Sequence, residues 1–229
     1  KLSDYKVKEA ETGDKVKFNF TENCSHTIEF WAVDNLGNEG THITQVHYVD
    51  EEKPVTVTEY IPSFYPKDGR NWISNRTIKR ITAIDKGCNV GGAGVEMLEW
   101  KVVNTTANPD VVITGIVYDG DHNYKYEDEH VLVTGDHDLG EGIVTIDIQI
   151  KEQCNHTIWH RGIDFLGNDN TPLGWDIKQL VKVDTKPPIV TKNVSEPKWT
   201  SEDPEEEGNY FVTNQTRIWI NATDDPSTD

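Results

Sequence analysis

Positive charge is scarce in this chain of 229 residues: 22 Lys and Arg stand against 40 Asp and Glu, a formal net charge of −18. Such a surplus repels polyanions, which argues against nucleic acid as a partner. Long apolar runs are missing too. The longest nearly apolar stretch, Val111 to Tyr118, falls well short of the ~18–20 residues that a membrane-spanning helix needs. Cysteine is confined to Cys24, Cys88 and Cys154, with no Cys-x-x-Cys spacing, so neither a zinc site nor a thioredoxin-like pair is indicated. There is no Gly-x-Ser-x-Gly turn, no His-Glu-x-x-His helix and no phosphate-binding glycine loop. No constellation for catalysis emerges, and the expectation is a protein that is not an enzyme. No basic start followed by an apolar run opens the sequence, and Lys1 stands where a Met would. Any targeting segment is therefore expected to have been removed or to lie upstream.

What the chain does have in excess is Asn-x-Ser/Thr. Eight such triplets occur, at Asn19, Asn23, Asn75, Asn104, Asn155, Asn193, Asn214 and Asn221. Random order would give roughly two, so the surplus reads as an N-glycosylated, extracellular surface. An oxidising compartment permits disulfides, and Cys88 with Cys154 is the natural pair because both fall within the single unit delimited below. Cys24 would then need a partner upstream of Lys1.

Self-similarity is the most specific signal. Cys24-Ser-His26-Thr27-Ile28, followed by Asp34-Asn-Leu36-Gly37-Asn38, returns 130 residues later as Cys154-Asn-His156-Thr157-Ile158 and Asp164-Phe-Leu166-Gly167-Asn168. Val49-Asp50 with Pro54 returns as Val183-Asp184 with Pro188, and Asn75-Arg-Thr77 through Ile81, Ala83 and Asp85 returns as Asn214-Gln-Thr216 through Ile220, Ala222 and Asp224. The order is cyclic. Residues 1–53 therefore read as the back end of one unit, 54–186 as a complete unit and 187–229 as the front end of a third. Completion of the half-units between neighbouring molecules is disfavoured, because 1–53 with 187–229 lacks the equivalent of roughly Cys88 to His130.

Within the unit, Val144-Thr-Ile146-Asp-Ile148-Gln-Ile150 alternates strictly, as a half-buried strand does, and Val16 to Phe20 has the same period. Further β-branched and aromatic runs are Val55–Tyr60, Ile78–Ile84, Met97–Val103, Val111–Tyr118, Thr157–Ile163 and Ile177–Val183, separated by Gly, Asp and Asn turns. About seven strands per ~130 residues predict an all-β, two-sheet antiparallel sandwich. Proline at each Val-Asp-x-x-x-Pro ends a ladder and stiffens the hand-over between units.

His-Thr-Ile, Asp-x-Leu-Gly-Asn, Val-Asp with its Pro, Ala-x-Asp and Gly94-Val95 leading to Trp100 together resemble the immunoglobulin-like tandem repeats of bacterial and archaeal cell-surface proteins. The resemblance implies tandem Ig-like sandwiches acting as lattice, filament or adhesin modules, often with calcium. A unit of ~130 residues exceeds the usual ~100, the excess lying in the acidic loops from Asp119 to Glu141.

Calcium takes oxygen ligands, and the repeated turns and strand ends offer Asp34, Asn38, Asp85, Asp164, Asn168 and Asp224. The bland reading is that Asp and Asn cap their own turns. Asp119-x-Asp121-x-Asn123 begins like a calcium loop but has Tyr124 where Gly is needed and His130 where Glu is needed, and Asp136, Asp138 and Glu141 offer a separate loop site or simply solvate the loop. His156 and His160 share one strand face, yet the earlier copy has Phe30 at the second position. The tryptophans are mostly assigned to the core. The expected function is a structural, glycosylated cell-surface protein of a surface layer or extracellular filament, self-associating with copies of itself. The alternative is a spacer or carbohydrate-binding appendage of a larger secreted adhesin or hydrolase.

Overall fold

The computed structural model describes residues 17, 19–62, 64–87, 92–107, 109–135, 142–171, 177–200 and 210–224. All regular structure among them is β, and no helix there is long and apolar enough to cross a membrane. A hairpin of β1 (Cys24–Phe30) and β2 (Ile43–Val49) comes first. A five-stranded sheet follows, in the order β3 (Val55–Ile61), β6 (Ile78–Ile84), β11 (Ile143–Ile150), β10 (Val131–Gly135) and β9 (Tyr124–Glu127). A six-stranded sheet has the order β4 (Tyr65–Lys67), β5 (Arg70–Ser74), β13 (Ile177–Asp184), β12 (Cys154–Asp164), β7 (Val95–Asn104) and β8 (Val111–Tyr118). The pairs β14 (Ile189–Val194) with β17 (Ile218–Thr223), and β15 (Lys198–Thr200) with β16 (Tyr210–Val212), close the chain order.

The two large sheets share one core. Ile81 and Ala83 of β6, Val131 and Val133 of β10, and Val144, Ile146, Ile148 and Ile150 of β11 meet Val95, Leu98, Trp100 and Val102 of β7, Ile113 and Val117 of β8, Ile158 of β12 and Val181 and Val183 of β13. Alternation along each strand delivers these side chains inward. On β6, Lys79, Ile81 and Ala83 are buried while Ile78, Arg80 and Thr82 are less so. Strand β11 is buried on both faces for most of its length, because Arg80 grips Asp147 with two 2.8 Å hydrogen bonds on the outer side. Among the described residues every ladder is antiparallel except β5 with β13, which is parallel.

The repeated sequences fold alike. Cys24 pairs with Val49 in the first hairpin and Cys154 with Val183 in the second, so the two ladders share one register. Val55 faces Ile84 in β3–β6, and Ile189 faces Thr223 in β14–β17, the matching positions. Ser74 and Thr77 exchange the same local hydrogen bonds as Thr213 and Thr216. A cis peptide precedes Pro62 and Pro197 alike.

Several expectations need correcting. The described residues of 54–186 carry eleven strands, β3 to β13, rather than about seven. The additional ones are short and polar, such as β4, β5 and β9, with too few residues to show a period. Val16 and Phe18 of the strand expected over 16–20 lie outside the described residues, and Asn19 and Phe20 are not in a strand. Among the described tryptophans only Trp100 is core; Trp31, Trp199 and Trp219 are 47%, 59% and 45% exposed. Trp72 and Trp159 lie half-buried on the outer face of the six-stranded sheet. Cys154 is a free thiol and Cys24 is disulfide-bonded, so the expected Cys88–Cys154 bridge is not formed. Cys88 itself lies outside the described residues. Sharing a unit does not bring two Cα atoms within the ~4.4–6.8 Å that a disulfide spans.

Candidate functional site

The Asp-x-Leu-Gly-Asn loop is built twice on one plan. In each copy the Asp carboxylate accepts the backbone N–H of the Leu and of the Asn and, through its second oxygen, the Asn side-chain amide at 2.7 Å. The Gly takes a φ of +88° at Gly37 and +85° at Gly167, a conformation that a side chain would strain. What differs is the surroundings. Asp34 and Asn38 are exposed, and hydrogen bonding to Asn38 holds the Asp34 carboxyl below its ordinary pKa. Asp164 is wholly buried.

Burial brings Asp164 to a carboxylate cluster. One oxygen each of Asp50, Asp85 and Asp164 lies within 4.8 Å of the others. Asp50 follows β2 and so comes from the first hairpin, whereas Asp85 follows β6 and Asp164 ends β12 of the large sheets. Backbone dipoles offset part of the charge. Asp50 accepts from Glu52 N at 3.0 Å and Ala93 N at 2.6 Å, and Asp85 accepts from Gly87 N at 3.2 Å and Gly94 N at 2.9 Å. Gly92 permits this approach, since a Cβ there would sit 2.2 Å from the Asp85 carboxylate. Asn168, besides capping Asp164, donates to the Asp50 carbonyl at 3.2 Å. Burial, with the nearby Asp50 charge adding to it, raises the Asp85 carboxyl above its ordinary pKa.

The donor set is all oxygen and anionic, which suits a hard divalent cation such as calcium and not a soft metal seeking thiolate or imidazole. Of the expected ligands, the structure brings Asp85 and Asp164 together and sets Asn168 behind them. It leaves Asp34 and Asn38 with each other, and leaves Asp224 exposed just beyond β17 and outside this cluster. Asp50 was read only as part of the proline hand-over. Its recurrence as Asp184 beside that proline was the available signal, but only the fold shows that the hand-over bends back onto the next loop.

The other candidates resolve into structural roles. Asp119 and Asp121 accept from Gly142 N and Tyr118 N, holding a turn. Asp136, Asp138 and Glu141 lie outside the described residues. His156 donates to Glu152 at 3.1 Å, and burial lowers its pKa. His160 is 0% exposed with no hydrogen-bond partner on either ring nitrogen among the described residues. Of the glycan acceptors, Asn19, Asn75, Asn193, Asn214 and Asn221 are exposed, and Asn23 and Asn155 are half-buried. Asn104 is 5% exposed, donates to Glu152 at 2.7 Å and accepts from Thr106 N and Ala107 N, so the folded chain does not present it for glycosylation. No family model matches this chain, and no curated protein matches it.

Proposed function

We propose that this chain is a structural, non-enzymatic segment of an extracellular surface, built from tandem Ig-like sandwiches and serving in a surface layer or filament. The strand orders support the Ig-like reading. One sheet carries A, B, E and D equivalents in β3, β6, β11 and β10, and the other carries G, F, C and C′ equivalents in β13, β12, β7 and β8. Trp100 occupies the strand-C position where such sandwiches bury a tryptophan.

The observation that carries the functional reading is the shared junction: a carboxylate from the β1–β2 hairpin completes a cluster whose other members belong to the next pair of sheets. A rod of repeats needs such joints, because each element otherwise touches only its neighbours along the chain. Calcium bound by Asp50, Asp85 and Asp164 would lock the joint, and glycans on the exposed acceptors would hydrate the rod.

The test is ordered self-association of purified protein into sheets or fibres in calcium, seen by electron microscopy and reversed by chelator. A second readout is the melting temperature of Asp50→Asn, which should lose the parent's response to calcium and match or exceed the parent in chelator. A monodisperse monomer that binds polysaccharide would favour the appendage reading, and an unchanged calcium response in Asp50→Asn would rule out metal at this cluster.

A further inference from the structure

In a chain of net charge −18, one face gathers cations. On the outer side of the six-stranded sheet, Lys67 and Lys182 reach over the Trp72 ring, 5.8 and 4.6 Å from its centroid. Lys101 and Lys178 reach over Trp159 at 4.9 and 5.4 Å. The register explains the pattern: Lys178 and Lys101 flank Trp159 on the two neighbouring strands, and Lys182 is the parallel partner of Trp72. Lys178 and Lys182 stand four residues apart on β13, about 13 Å. Leu180 lies between them, 39% exposed. No carboxylate among the described residues pairs with Lys67, Lys178 or Lys182.

We infer that this lysine-covered face is the surface on which a second copy of the chain docks, through that copy's acidic surface; this rests on the self-association proposed above. Charge complementarity selects the occupant, since 40 acidic side chains make another copy the anionic surface that an assembly of this chain always supplies. The rings argue against a sugar as the occupant. Carbohydrate stacks on bare aromatic faces, whereas Trp72 and Trp159 are half-buried beneath their own lysines. Cation–π seating instead holds the ammoniums in place, so less side-chain freedom is lost when a carboxylate arrives. The exposed Leu180 offers an apolar centre inside a charged rim, the usual anatomy of a contact between proteins.

The experiment mixes isotopically light and heavy copies of the whole chain in calcium and about 0.15 M salt, where long-range repulsion is screened beyond ~8 Å. A zero-length carbodiimide then joins amines to carboxylates in contact. Expected are light-to-heavy crosslinks from Lys67, Lys178 or Lys182 to Asp or Glu, and at least a tenfold weaker association, by sedimentation, for Lys178→Glu with Lys182→Glu. Lys178→Arg with Lys182→Arg should associate like the parent. Association that survives charge reversal, or crosslinks that map elsewhere, overturns this surface while leaving self-association standing. A parent that stays monomeric removes the assembly reading itself. A parent whose face binds soluble polyuronate and displaces copies shows an acidic polysaccharide as the occupant and overturns the inference.

Discussion

Replacing Lys79 and His160 by the residues that the chain's own repeats carry at those positions, Ile218 and Phe30, should make the protein more stable. Lys79 is 1% exposed, its ammonium resting 3.9 Å from the centroid of the Tyr60 ring, and burial lowers its pKa to about 8 from 10.5. At 1.36 kcal/mol per pH unit, that shift places about 3 kcal/mol of penalty on the charged form. His160, on the opposite sheet, has its pKa lowered to about 4 by burial, with the Lys79 charge adding to it. An unpartnered buried polar group costs about 1–3 kcal/mol. In β14–β17 the equivalent of the Tyr60–Lys79 pair is Val194 facing Ile218, an apolar solution to the same position. Allowing about 1–3 kcal/mol for imperfect repacking of the larger phenylalanine, Lys79→Ile with His160→Phe should gain roughly 2 kcal/mol at pH 7, or about 6–8 °C in melting temperature. The pH dependence isolates the lysine. Because the folded pKa lies below the unfolded one, the unfolded chain holds the extra proton between about pH 8 and 10.5, and the parent regains stability as pH rises through that window. Lys79→Ile alone should lack this rise. Denaturant titrations of parent and variant at pH 7, 8, 9 and 10 measure the difference directly. A variant less stable than the parent at pH 7, with a gap that does not change by pH 10, would refute the reasoning.

Acid should act through His160: its folded pKa of about 4 lies below the unfolded 6.5, so stability falls as pH drops from 6.5 toward 4, and His160→Phe should flatten that part of the parent's curve in urea titrations. Gly92→Ala forces either the loop or the Asp85 carboxylate to move and should lower stability by about 2 kcal/mol, read by thermal melting; no change would mean that the loop yields freely. Asp164→Ala removes a buried carboxylate that accepts three N–H bonds and should cost about 3 kcal/mol, whereas Asp34→Ala, with the same bonds in an exposed loop, should leave the melting temperature nearly unchanged; equal losses would refute the role assigned to burial. A peptide map without reduction should recover Cys154 as a free thiol and Cys24 in a linked peptide, and glycopeptide analysis should find Asn104 unmodified; a linked Cys154 or a sugar on Asn104 would contradict the structure.

The all-β class was legible because its signal is local. Val111–Tyr118 and Ile78–Ile84 were bounded correctly from the sequence, since β-branched alternation stops where turn residues begin. Three-residue strands such as β4 and β15 were not, because pairing with a neighbour rather than any internal pattern makes them strands. Two cluster members, Asp85 and Asp164, stood out through repetition, but repetition says only that a residue is reused. Asp34 and Asp164 open the same Asp-x-Leu-Gly-Asn pattern and accept the same three hydrogen bonds, and it is what packs around each loop that distinguishes an exposed turn from a buried carboxylate. The tryptophans failed for a related reason: Trp72 and Trp159 look like core residues until the lysines on adjacent strands are seen to cover them from outside.

Because Asp50 reaches from the first hairpin to Ala93 N while Asn168 reaches back to the Asp50 carbonyl, bending at this hinge line must break hydrogen bonds made from both sides. Each segment thereby lends stability to the one beside it. Under tension the chain should resist as a cooperative series, in which peeling the hairpin away frees Ala93 N and the Asn168 amide from Asp50 and loosens the next link before that link itself is pulled.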